Sequence, residues 1–265
     1  MLSTGLANKN KQIFISIIII LICAIPIFWS LGDYAIRLWD ECRIGTNSLE
    51  MLQNHDFIVT HYQGEPDMWN TKPPLMNWLH VISMKILGVT EFAIRFPSAL
   101  ATFLLSIILI LFGRNFFKSN LIGWFSALIL VSSLGYLDYH ITRTCEYDSV
   151  VSFFSNLYVL FYFKYLEKFK TKYLIFTAIG ITCAILTKTV VGAFFLPGIF
   201  VYTIFEKKLL YVLKSYKIYL TLFFIISVVL GYYYLRELYN PGYINMAVYN
   251  DFTGRYLSES SPGAS

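Results

Sequence analysis

Charge is what this sequence has least of. Asp, Glu, Lys and Arg supply only 14% of its 265 residues and hydrophobic types 57%, too little polarity to cover a water-facing surface of this size. A freely soluble globular domain is excluded on that ground. Also lacking are a Gly-rich phosphate loop, a Cys-x-x-Cys pair, a His-Glu-x-x-His helix and any internal repeat. Those absences remove the common nucleotide-loop, thiol-redox, zinc-protease and solenoid readings. Cysteine is sparse too. Of the four, Cys23 and Cys183 fall inside apolar segments, whereas Cys42 and Cys145 lie outside them and could pair on an oxidising face.

Long apolar runs are what the chain has instead. Crossing the hydrocarbon takes about 20 mainly apolar residues as a helix, because backbone groups left unpaired in lipid cost several kcal/mol each. Segments 12–31, 95–112, 121–137, 149–163, 173–186, 190–205 and 218–234 approach that length, which predicts an all-α integral membrane protein of about seven spans. The first lacks the short apolar core and small-residue cleavage site of a signal peptide, so it reads as an uncleaved helix. Segment 76–87 is shorter and amphipathic, and is expected to lie at the interface or re-enter rather than cross.

The basic residues orient the bundle. With the amino terminus in the cytoplasm, the inner segments hold Lys9, Lys11, Arg114, Lys118, Lys164, Lys168, Lys170, Lys172, Lys207, Lys208, Lys214 and Lys217, accompanied only by Glu167 and Glu206. Asp33, Asp40, Glu41, Asp56, Asp67, Glu146, Asp148 and Asp251 fall outside. This is the positive-inside pattern, so the net charge of +5 needs no nucleic-acid partner.

The outer segments carry the candidate chemistry. Asp40 and Glu41 follow the first span in "RLWDECRIGTNSLEML", where Ile44, Leu49 and Leu52 share one helical stripe, as in a short helix lying on the membrane surface. "TKPPLMNW" sets Lys72 before two prolines. "TRTCEYD" places Asp148 at the entrance of the next span, and "LTKTVVG" keeps Lys188 close to the membrane. Each has a bland explanation: a solvated helix end for Asp40, an ordinary cap for Asp148, a snorkelling lysine for Lys188. Their common side argues otherwise. Two aspartates with Lys72, Lys188, Arg43, Arg95, Arg143 and Arg255 suit a reaction on a lipid-linked phosphate, cations neutralising the phosphate and a carboxylate taking a proton from an incoming hydroxyl.

The ordered series "DECR", "EMLQNHDFIVTHYQGEPDMWNTKPPLMNWL", "ILGVTEFAIRFPSAL", "TRTCEYD" and "LTKTVVG" resembles glycosyltransferase family 39, which includes protein O-mannosyltransferases and the bacterial aminoarabinose transferases. The likeness is greatest to the aminoarabinose branch and runs from Asp40 to about Arg255. It implies a GT-C type helical bundle over residues 1–257, with juxtamembrane helices in the first outer loop. It also implies inverting transfer of a sugar from a polyprenyl-phosphate donor to a lipid, glycan or protein hydroxyl on the non-cytoplasmic face of the inner membrane. By that resemblance Asp40 is the expected catalytic base and Asp148 the second acid, with Glu41, Arg43, Lys72, Arg143, Lys188 and Arg255 binding donor or phosphate. The two prolines would hold Lys72 on a rigid corner at the lip of the cavity.

Family members are longer and commonly carry a histidine- and proline-containing motif beyond the position of Arg255. The chain therefore reads as truncated, with 258–265 a small, polar, disordered tail. The competing reading is a non-catalytic lipid-binding or scaffold protein of the same architecture. A transporter is disfavoured because the spans are nearly free of charge. The sequence names no definite cofactor. A divalent metal is possible, but His55, His61 and His140 lack ligand spacing, so a metal would be expected on Asp40 and Asp148.

Overall fold

The computed structural model describes residues 2–137 and 141–250. In chain order its elements are α1 (Leu2–Phe28), α2 (Asp40–Asn54), β1 (His61–Tyr62), β2 (Glu65–Pro66), α3 (Leu75–Leu87), α4 (Glu91–Asn115), α5 (Asn120–Ser132), α6 (Leu134–Leu137), α7 (Tyr147–Lys168), α8 (Thr171–Gly192), α9 (Leu196–Phe205), α10 (Leu209–Lys214), α11 (Tyr216–Tyr239) and α12 (Tyr243–Val248). The two strands form one small antiparallel hairpin, with His61 opposite Pro66.

Every expected apolar segment forms a helix. Among the described residues four stretches are long and apolar enough to cross a membrane: Asn10–Phe28, Glu91–Asn115, Thr171–Gly192 and Tyr216–Tyr239. The others differ from expectation in ways the sequence explains. α7 has the length, 22 residues, but carries Asp148, Lys164, Glu167 and Lys168. The 121–137 segment breaks at Ser133, whose backbone is extended, leaving α5 with 13 residues. The 190–205 segment splits because Pro197, lacking an N–H, starts α9 instead of continuing α8.

Helix starts follow ordinary capping. Thr90 accepts the Ala93 amide at the head of α4, and Ser119 accepts that of Ile122 at the head of α5. Small residues then bring helices together, as packing in lipid requires. A Cβ on Gly123 of α5 would stand 2.7 Å from the Ile110 carbonyl of α4, and one on Gly180 of α8 would stand 2.9 Å from Tyr158 Cβ of α7. α1 and α11 keep long apolar faces open, including Phe14, Leu21, Ile25, Leu220, Phe223 and Leu230, the arrangement of helices that face lipid.

The two ends of the bundle differ. At one, Lys164 of α7 donates to the Asn115 carbonyl and pairs with Glu167. At the other, α2, the hairpin, α3 and α12 cover the helix ends. Their core is the cluster of Ile44, Met51, Met76, Val81, Ala93, Tyr147 and Val150, which joins α2, α3, α4 and α7. Pro73 and Pro74 precede α3 as expected, with Thr71 and Lys72 outside the helix.

Candidate active site

Asp40 and Glu41 begin α2 side by side and are sent in opposite directions. Trp39 before them holds φ of 74°, a left-handed conformation that is strained for a bulky residue. Asp40 is exposed and faces a cavity. Glu41 is 2% exposed and points inward, where it accepts Arg95 Nε at 2.8 Å and Nη2 at 3.1 Å, the Arg37 amide at 2.7 Å and the Cys145 amide at 3.2 Å. Arg95 completes its donors on the carbonyls of Leu31, Tyr34 and Ala35. This pair ties the end of α1, the start of α2, α4 and the loop before α7 into one frame.

A second frame holds the loop carrying Lys72. Asp67 accepts Arg43 Nε and Nη2 at 2.9 and 2.7 Å, Asn47 Nδ2 at 2.9 Å and the amides of Trp69 and Asn70. Burial alone would raise the Asp67 carboxyl, but those donors outweigh it and hold it below the usual carboxylate range. Asn70 continues the chain by donating to Asn47 Oδ1 and to the Tyr147 hydroxyl at the head of α7. Arg236, fully buried near the end of α11, donates to the Ile58 carbonyl, Thr60 Oγ1 and the Asp67 carbonyl, and stacks 4.9 Å from the Tyr243 ring.

Between these frames lies a cavity of about 470 Å³ lined by Asp40, Arg43, Asn70, Lys72, Glu146, Asp148 and Lys188, with Trp69 and Tyr249 among its rings. Asp148 sits in the first turn of α7, where the helix dipole favours a carboxylate, and receives Lys188 Nζ at 2.6 Å. Lys188 reaches it because α8 unwinds there: Lys188 (φ −147°, ψ 51°) and Thr189 (φ 35°, ψ −111°) are non-helical inside the helix. A β-branched residue at positive φ is strained, and the break it sits in turns Lys188 toward the cavity. Lys72 Nζ stands 5.2 Å from the centre of the Tyr147 ring, and Arg43 lies 4.3 Å from that of Tyr62.

Asp40, Arg43, Lys72, Asp148 and Lys188, distant in sequence, thus meet in one cavity. Two other candidates are placed elsewhere. Glu41 is consumed in the buried pair with Arg95. Arg143 donates to the Trp29 carbonyl at 2.7 Å and lines a separate cavity with Arg37 and Arg95. Arg255 and the tail 258–265 lie outside the described residues, as does His140. Cys42 and Cys145 are free thiols. Among the described residues no group of three or more His, Cys, Asp or Glu is arranged to hold a metal ion.

Among the charged residues of the cavity, Glu146 is the one that sequence reasoning passed over. Burial, then the nearby Asp40 and Asp148 carboxylates, push its carboxyl up to about 7, against the pull of Lys188 and Lys72. Its position two residues before Asp148 was the available signal. A non-helical N-cap followed by a helical turn puts both side chains on the same mouth of α7. Chemically, the arrangement offers an accessible carboxylate at Asp40, a carboxyl poised near neutrality, and ammonium groups able to bind a phosphate.

Residues 71–234, more than half of the chain, match the family model described as dolichyl-phosphate-mannose-protein mannosyltransferase. The chain is 29% identical over 187 residues to an undecaprenyl phosphate-alpha-4-amino-4-deoxy-L-arabinose arabinosyl transferase of Wigglesworthia glossinidia brevipalpis, covering 68% of this chain and 32% of that protein. It is 28% identical over 180 residues to the protein of the same name from Aeromonas salmonicida, covering 65% and 32%. The chain therefore spans about a third of the length of these curated relatives. Among solved structures, ArnT from Cupriavidus metallidurans bound to undecaprenyl phosphate superposes with a TM-score of 0.76 at 20% identity, over 89% of this chain and 44% of that one. The Saccharomyces cerevisiae Pmt1-Pmt2 complex bound to the sugar donor gives 0.60 at 17% identity, over 89% and 34%. By the extent of the family match the chain belongs to the dolichyl-phosphate-mannose-protein mannosyltransferase family, and its helices adopt the GT-C fold.

Proposed function

We propose that the protein is a membrane glycosyltransferase of the bacterial inner membrane that moves a sugar from a polyprenyl-phosphate donor to an acceptor hydroxyl. The observation that carries this is the convergence of Asp40, Lys72, Asp148 and Lys188, from three helices and a loop, on one cavity at one end of an apolar bundle. Family membership supports the donor class, and the lysine-rich opposite end supports a cavity on the non-cytoplasmic face.

The chemistry follows from the placement of charge. The acceptor hydroxyl loses its proton to Asp40, the exposed carboxylate. Its oxygen bonds to the anomeric carbon while the carbon–oxygen bond to phosphate breaks, and the electron pair departs on the phosphate oxygen. Lys72 and Lys188 stabilise that developing charge, with Arg43 contributing its remaining guanidinium nitrogen. Asp148 holds Lys188 in place at 2.6 Å. One displacement without a covalent enzyme intermediate inverts the anomeric centre.

Asp40→Asn decides the matter. In vesicles containing a polyprenyl-phosphate sugar and an envelope lipid acceptor, the wild-type chain is expected to transfer sugar and the variant to lose at least 100-fold of the rate, the scale of general-base catalysis. Membrane insertion should be unchanged. A wild-type chain without transfer activity in that assay, yet still retaining the donor lipid, would instead support the non-catalytic lipid-binding reading.

A further inference from the structure

At the end of the bundle opposite the cavity, the amino-terminal halves of α8 and α11 diverge and leave a lateral groove of about 480 Å³. Its walls are aliphatic and aromatic: Leu174, Ile175 and Ile179 on one side, Leu220 and Phe224 on the other. Ile175, Leu220 and Phe224 are each about half or more exposed, at 53%, 61% and 49%, so the groove opens toward the surrounding hydrocarbon. The charged group lies at one end, where Lys217 Nζ donates to Thr171 Oγ1 at 2.8 Å, and the Thr221 hydroxyl further along is spent on the Lys217 carbonyl. The groove is therefore amphiphilic along its length.

Charge identifies what it would hold. Glu167 and Glu206 are the carboxylates at this end among the described residues, and each is already engaged, with Lys164 at 3.0 Å and Lys208 at 3.1 Å. Lys217 lines the groove, Lys170 and Lys172 flank its Thr171 in sequence and Lys214 lies two residues before its Tyr216, and the ion pairs of those two carboxylates are with other lysines. A neutral lipid would leave that field unbalanced, and a purely apolar helix would leave Lys217 against hydrocarbon. Lipid tails gain little by exchanging bilayer for an equally apolar wall, so the headgroup determines occupancy. Basic pockets between membrane helices are suited to anionic headgroups in this way.

We propose that this groove binds an anionic glycerophospholipid, with one acyl chain between α8 and α11 and the headgroup phosphate on Lys217 and Thr171. The site is remote from the sugar-transfer cavity and does not depend on the function proposed for it.

The test uses the full chain in nanodiscs with phosphatidylglycerol or phosphatidylcholine bearing a photoreactive acyl chain, the adducts being mapped by mass spectrometry. Labelling of peptides covering 174–179 and 220–224 should be at least fivefold greater with phosphatidylglycerol. Leu220→Trp, which fills the groove from a lipid-exposed position, should abolish most of it, and Lys217→Gln should erase the preference between the two lipids. Lys207→Gln, on the same end but outside the groove, should change neither. Equal labelling by the two probes overturns the proposal, as does labelling that survives Leu220→Trp. So does crosslinking of the groove to a second copy of the chain or to an added polyprenyl phosphate in preference to phosphatidylglycerol.

Discussion

Glu146 and Glu41 are both buried acids near the same cavity, and their partners give them different properties. Glu41 has a guanidinium on both oxygens, whereas Glu146 faces Asp40 and Asp148 as well as two lysines. A carboxyl whose folded value, about 7, lies above its ordinary 4.5 binds more protons in the folded state between those pH values. The Glu146 contribution is therefore lost as pH rises from about 4.5 to 7, so the stability difference between wild type and Glu146→Gln should shrink across that window, read as thermal unfolding across a pH series in detergent. His80 bears on the acid side. Fully buried and pushed down to about 3, it resists protonation in the fold, so acidification below its ordinary 6.5 costs stability. Glu146→Gln should leave that acid limb in place. For the Glu41–Arg95 pair, Arg95→Met strands a buried carboxylate and should cost about 3–5 kcal/mol, much of it recovered in the Glu41→Gln/Arg95→Met double variant. Calorimetry of the three variants checks the cycle. The "DECR" string pointed to both acids, but which faces the cavity and which the frame was decided by the orientation of the first turn of α2, set by Trp39.

The elements themselves were largely legible. Apolar length announced the spanning helices, the stripe of Ile44, Leu49 and Leu52 announced α2, and the paired prolines announced the start of α3. Helix ends were less so, because Ser133 and Pro197 divide apolar runs that composition alone leaves continuous. The break of α8 at Lys188 and Thr189 had no sequence marker, since neither glycine nor proline occupies it. Close helix approach was also hidden, because a glycine in an apolar run does not declare which neighbour it meets. Gly180→Ala should force Tyr158 to shift and destabilise the α7–α8 hairpin by about 1–3 kcal/mol, measurable as a lower unfolding temperature with unchanged helix content.

In the whole molecule, Arg236 couples segments almost 180 residues apart. It sits at 0% exposure, and its donors hold the backbone and side chains of 58–67, the stretch that leads into Asp67, Arg43 and the Lys72 loop. Tyr243 reinforces the link by donating to the Thr71 carbonyl at 2.7 Å. Arg236→Met should therefore raise hydrogen–deuterium exchange in 58–72 several-fold while leaving α4 and α7 protected, which mass spectrometry of the peptides would reveal. Equal protection in variant and wild type would mean that Asp67 and Tyr243 hold the loop without Arg236.

Hydrophobic content, the one-sided distribution of lysine and the ordered motifs are properties of the chain itself. They determined the helical membrane class and the family, and offered Asp40, Lys72, Asp148 and Lys188 as candidates by resemblance, because burial in lipid and charge asymmetry act on composition before any packing occurs; that the four line one cavity was decided by the fold. Tertiary structure alone decided the rest: it turned Glu41 inward, placed Arg143 beside a different cavity, and brought Glu146 between two aspartates. Those outcomes depend on distances between side chains far apart in sequence, and on a strained turn at Trp39 and another at Thr189, which no spacing along the chain encodes.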